Sequence, residues 1–176
     1  MSFSAYEVTI PVMTRGLGIL DDYLDEAVKL SEAQSLSMEE ILSARLAPGM
    51  LSFAGQIGVA AGKAERHGAM LSQREAPKRD ATAPTVEALR TRLREAIAYL
   101  EALPEADILG AQARTYELST SLIRGWFGGD DYILEFVLPD FFFHQALVHA
   151  ILRHLGADIG KRNYLGRLSM ESGGYT

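Results

Sequence analysis

The chain has no cysteine among its 176 residues. This excludes disulfides, thiolate metal ligands and a thiol nucleophile, so any chemistry must come from His, carboxylate, Ser, Thr or Lys side chains. No run of basic residues occurs either. The 17 lysines and arginines are scattered and the net charge is −6, which excludes the electrostatic footprint of a nucleic-acid partner. No uninterrupted apolar stretch reaches the roughly 20 residues needed to cross a bilayer, so no membrane partner is expected. The segment Met1 to Ile10 carries Tyr6 and Glu7 and lacks the basic-then-apolar order of a secretory signal, which makes the cytoplasm the expected location. A Gly-rich phosphate cradle, a Gly-Xaa-Ser-Xaa-Gly elbow and a His-Glu-Xaa-Xaa-His zinc motif are all missing.

What is present is the composition of a folded domain, 48% hydrophobic and 23% charged. One domain over residues 1–166 and a flexible tail over 167–176 account for the length. Ile10, Met13, Leu17, Leu20, Leu24, Ala27 and Val28 recur at helical spacing, predicting a long amphipathic helix from about Ser4 to Gln34. Ser37 with Glu40 three residues on is a capping box and predicts a short helix to about Leu46, closed by Pro48 and Gly49. A second long helix follows over about Met50 to Gln73. Beyond the loop from Arg74 to Pro84, Leu89, Leu93, Ile97 and Leu100 define a third, stopped by Pro104.

The pattern from Thr115 to Trp126 changes to β-forming residues and predicts a small hairpin or extended pair. The last long element spans about Asp131 to Leu155, with Asp130 or Asp131 as N-cap, Pro139 kinking or dividing it and Gly156 as its stop. The fold class is therefore all-α: a four-helix bundle with a short extra helix and a small β-hairpin before the last helix.

Such bundles build their sites between facing helices, so polar residues on apolar stripes are the candidates. At about 100° per residue His144 shares a face with Val137, Phe141, Val148 and Ile151, pointing into the bundle. Gln56, Lys63 and His67 fall on one line of the second helix beside Phe53, Val59 and Met70. Two readings stand: Lys63 snorkels at a rim with His67 near the open end, or Gln56 and His144 form a polar pocket. His149 is expected on a solvated face, and His154 at the helix end. Phe142 is expected to project outward from the Phe141–Phe143 run. Gly55, Gly58 and Gly62 line a separate face, and each glycine costs on the order of 1 kcal/mol inside a helix. Something must approach that face closely, either a neighbouring helix or a second copy in a homodimer.

Ala44-Arg45-Leu46-Ala47-Pro48, Gln56, Leu138-Pro139-Asp140-Phe141-Phe142-Phe143-His144, Ala150-Ile151-Leu152-Arg153-His154 and Gly160-Lys161-Arg162 with Tyr164-Leu165-Gly166 form a set. As a set they resemble a domain-of-unknown-function family of the DinB/YfiT-like superfamily, over nearly the whole chain. The resemblance implies a four-helix bundle, often a homodimer, in which many members hold a divalent metal with three histidines. One comes from the second helix and two from a His-Xaa-Xaa-Xaa-His pair on the last. Here His144 matches the first of that pair, Val148 stands at the second, and Gln56 stands where the second-helix histidine would be. A lone imidazole with a neutral amide is a poor set for zinc or nickel. The resemblance thus implies a degenerate metal site with no cofactor expected, and the superfamily's thiol-transferase and hydrolase activities rest on that metal. The leading expectation is a small-molecule-binding bundle. A Zn-, Ni- or Mn-dependent enzyme drawing further ligands from His67 or Glu135, and a purely structural module, are the alternatives.

Overall fold

The computed structural model describes residues 3–79, 84–120 and 123–169. Helix α1, Ala5–Gln34, opens on a capping box in which the Ser4 hydroxyl accepts from the Glu7 N–H and the Glu7 carboxylate accepts from the Ser4 N–H. The helix therefore starts at Ser4, and Pro11 lies inside it rather than at its beginning. The same reciprocal box between Ser37 and Glu40 starts α2, Met38–Ser43, as the spacing predicts. Ser52 caps α3, Phe53–Ser72, and Thr85 caps α4, Val86–Glu101. A single turn, α5, spans Glu105–Ile108.

Two strands follow, β1 (Thr115–Ser119) and β2 (Arg124–Gly128), paired antiparallel with Tyr116 opposite Phe127. Alternation along β1 turns Tyr116 and Leu118 inward and leaves the others outside. The last long element then begins differently from expectation. Neither Asp130 nor Asp131 caps it; the turn α6, Gly129–Asp131, starts at Gly128 with no side-chain cap. It runs into six residues of π-helix, Tyr132–Val137, before the regular helix α7, Leu138–His154. Pro139 follows closely on the π segment and, having no N–H, cannot donate to a carbonyl of the preceding turn, and the element is divided there, where π geometry gives way to the regular helix. Gly156 ends it at a φ of 98°.

Helices α1, α3, α4 and α7 form the bundle. Helix α7 packs along α3, and α4 packs on both α1 and α3. The core is one contiguous apolar cluster running from Met13, Leu17 and Leu24 through Phe53 and Ile57 to Leu93, Phe141 and Val148. The inner face of the hairpin closes one end: Tyr116 stacks on Tyr132 at 4.5 Å, and Phe136 lies 6.0 Å beyond. A final short helix, α8 (Lys161–Leu165), lies on α1, and the tail expected over 167–176 falls outside the described residues from 170 onward. Among the described residues no helix is long and apolar enough to cross a membrane.

Candidate functional site

Helices α3 and α7 run antiparallel, because Gln56 early in α3 meets His144 in α7 while His67 late in α3 meets Asp140 nearer the start of α7. Their facing stripes make a polar seam. At one end the Nδ1 of His144 lies 2.7 Å from Gln56 Oε1, with both residues buried. An amide oxygen only accepts, so His144 must carry its proton on Nδ1, and Nε2 is left with its lone pair. The Gln56 amide is oriented by its own Nε2, which donates to the Leu51 carbonyl at 3.5 Å. Among the described residues His144 has no other hydrogen bond.

One α7 turn away Asp140 Oδ2 accepts from Lys63 Nζ at 2.9 Å and from His67 Nε2 at 3.1 Å. The ring of His67 is 1% exposed, so its open-end placement does not hold. It is a buried imidazole with both nitrogens engaged. With Nε2–H given to the carboxylate, Nδ1 is an acceptor and faces the Tyr132 hydroxyl at 3.2 Å. The Tyr132 hydroxyl, whose single hydrogen serves one acceptor at a time, also donates toward the Met70 thioether at 3.0 Å. Lys63 keeps about a quarter of its side-chain surface and lies over the Phe136 ring at 5.7 Å.

Burial pushes the His67 ring below the usual histidine range, against the pull of Asp140. His144 is pushed down by burial as well, with Asp140 opposing and Lys63 assisting. Burial alone would raise the Asp140 carboxyl, but the hydrogen bonds from His67 and Lys63 and the ammonium charge bring it down to about 2. At neutral pH the seam therefore holds one carboxylate, paired with Lys63, and two neutral imidazoles. Only one of those imidazoles has a free lone pair.

The structure thus brings Gln56 to His144, and Lys63 to His67 through Asp140. Val148 is fully buried in the apolar core. Among the described residues Gly58 has no atom within 4 Å of where a Cβ would stand, and at Gly62 the nearest is the tip of Arg92 at 3.8 Å. The close intrachain approach belongs instead to Gly68, where a Cβ would meet Leu100 at 2.7 Å and Leu103 at 2.9 Å. His149 is not on a solvated face: its Nδ1 lies 2.7 Å from the Tyr23 hydroxyl and its ring packs edge-on to Tyr164. Phe142 is half-buried against the core, and Phe143 is the ring left outside, 57% exposed. Asp140 and Tyr132 were not among the candidates. Asp140 could have been found from its i, i+4 relation to His144, which puts the two on one face of α7.

The sequence matches the model of a domain of unknown function, DUF1993, over residues 5–165. The chain belongs to this family. Its bundle is similar to the crystal structure of a DinB family member protein from Shewanella denitrificans, with 30% identity, a TM-score of 0.86, and 96% of this chain and 95% of that chain covered. No curated protein matches the sequence.

For a DUF1993 protein with a DinB-like bundle the three-histidine metal set needs testing against these residues, and they do not fit it. Gln56 lies against the Nδ1 edge of His144, so its oxygen engages a proton rather than sharing a point in space with Nε2. Both nitrogens of His67 are taken, Glu135 is exposed, and Val148 offers only methyl groups. Among the described residues no three of His, Asp and Glu cluster closely enough to hold an ion.

Proposed function

We propose that this DUF1993 chain is a cytoplasmic small-molecule-binding protein whose recognition centre is the α3–α7 seam. The observation that carries the reading is the fixed His144 tautomer, which leaves Nε2 as an unpaired base on the α7 stripe that also carries Asp140, with Lys63 reaching Asp140 from α3. A compact polar ligand that donates to Nε2 and accepts from Lys63 answers both groups. The π-helical Tyr132–Val137 segment supports it, since such insertions concentrate at functional sites and this one delivers Tyr132 to His67.

A thermal-shift screen of a polar metabolite library tests the reading, because a binder of the native state raises the melting temperature. Hits must lose their effect in His144→Ala and Gln56→Ala. A set of hits indifferent to both substitutions would refute the seam as the centre. We further propose a homodimer through the glycine face of α3, supported by the open space beside Gly58. Light scattering on wild type and Gly58→Leu checks it, a monomeric wild type being the contrary result.

A further inference from the structure

On the far side of α7 from the seam, α1, α7 and α8 enclose a cleft of about 350 Å³ lined by Val12, Arg15, Gly16, Ile19, Phe142, Gln145 and Tyr164. Its walls are mostly apolar, with Arg15 and Gln145 as the polar groups, and α8 is held across it by two hydrogen bonds. Arg15 Nη1 donates to the Leu165 carbonyl at 2.9 Å, and Gln145 Nε2 donates to the Tyr164 carbonyl at 3.4 Å. The other end of that amide is unmet. Gln145 is 1% exposed, yet among the described residues its Oε1 has no hydrogen-bond partner.

Turning the amide over does not help, because it would set oxygen against the Tyr164 carbonyl and leave the nitrogen unpaired instead. The oxygen packs close to Gly16, where a Cβ would stand 2.8 Å from Oε1 and clash with the Phe141 ring, and both Gly16 and Gln145 line the cleft. A buried acceptor without a donor is unfavourable and calls for an account. Arg15, meanwhile, lies at the exposed edge with most of its five N–H donors free, and among the described residues no carboxylate pairs with it.

We propose that this cleft binds a small apolar acid with a donor on its α-carbon, an α-hydroxy or α-amino carboxylate. The O–H or N–H donates to Gln145 Oε1, the carboxylate pairs with Arg15, and the aliphatic body lies among Val12, Ile19 and Phe142. The volume is in the lower part of the range for small-molecule sites, roughly 300–1,000 Å³.

Titration calorimetry of the full chain with leucate, L-leucine and isocaproate tests this, the last having the same body and carboxylate without the donor. Saturable binding of leucate or leucine is expected, with isocaproate weaker by about tenfold or more. The stronger of the first two tells the hydroxy from the amino class. Gln145→Leu should erase the preference over isocaproate, and Arg15→Gln should weaken all three acids. No saturable heat from leucate or leucine, as when water alone occupies the cleft, overturns the proposal. So does equal affinity for isocaproate, a ranking readable on the wild type even where Gln145→Leu fails to fold.

Discussion

His144 on α7 and Gln56 on α3 are joined Nδ1 to Oε1 at 2.7 Å across two antiparallel helices, inside the bundle. Among the described residues neither atom has a comparable alternative partner, so removing one side strands the other. Gln56→Ala should lower stability by about 1–3 kcal/mol, the usual penalty for an unmet buried donor. Replacing both by leucine should recover much of that loss, since no polar group is then left stranded. Urea unfolding of the two single leucine variants and the double variant measures the coupling, and strictly additive effects would show that the pair does not interact.

Asp140 titrates low because His67 and Lys63 converge on one of its oxygens. A carboxyl whose folded value lies below its unfolded one stabilises the fold above the unfolded value and loses that contribution as pH falls through the folded one. The window here is from 3.8 down through about 2. Asp140→Asn should be less stable than wild type at neutral pH by about 1–3 kcal/mol, and the gap should close across that acid window. Unfolding midpoints of the two proteins against pH decide it, a constant gap being the contrary result.

His67 gives the opposite arrangement of protons. Its folded ring holds a proton less readily than the unfolded one, whose value is 6.5. The unfolded chain therefore binds more protons as pH drops below that value, and stability falls with it. His144 and His149 are depressed by burial too and act in the same direction. Wild type should lose stability on acidification from 6.5, by at most about 1.4 kcal/mol per pH unit for each such ring. His67→Gln should make that slope shallower, which a series of urea melts across the range reads directly.

The glycines of α3 divide by what surrounds them. Within one chain, among the described residues, a methyl group at Gly58 meets nothing, so Gly58→Ala should stabilise the helix by about 0.5–1 kcal/mol through its propensity wherever no second copy packs on that face. At Gly68 the same methyl meets Leu100 and Leu103, and Gly68→Ala should destabilise by about 1–3 kcal/mol through overpacking. Thermal melts of the two variants should move in opposite directions.

The four long helices were legible because each carries an apolar stripe at helical spacing, and that same projection put His144 inside. What it missed shares a physical reason. A π-helical stretch shifts the facing of residues relative to a straight α projection, so Tyr132 and Phe136 could not be aimed at His67 from spacing alone. Asp140 reads in sequence as an ordinary first-turn acid after a proline, and its two partners lie more than seventy residues earlier. Glu65 is likewise buried, and Arg92 and Arg79 neutralise it from α4 and the preceding loop. Such pairings are made by tertiary packing and leave no local pattern.

The donor set of the seam makes a last prediction that runs by gain rather than loss. Val148 lies one turn beyond His144 on the same face of α7, and Gln56 already touches that imidazole from α3. If the missing donors are what keeps zinc from binding, Gln56→His with Val148→His supplies them. Three imidazoles from two helices are enough protein ligands for a tetrahedral ion with one open position. Both substitutions disturb buried positions, so the double variant should melt below wild type in chelator and regain stability when zinc is added. Wild type should show no zinc-dependent shift. Stoichiometric zinc in wild-type protein purified without chelator, lost in His144→Ala, would mean that the chain completes the site with ligands other than those identified on the seam.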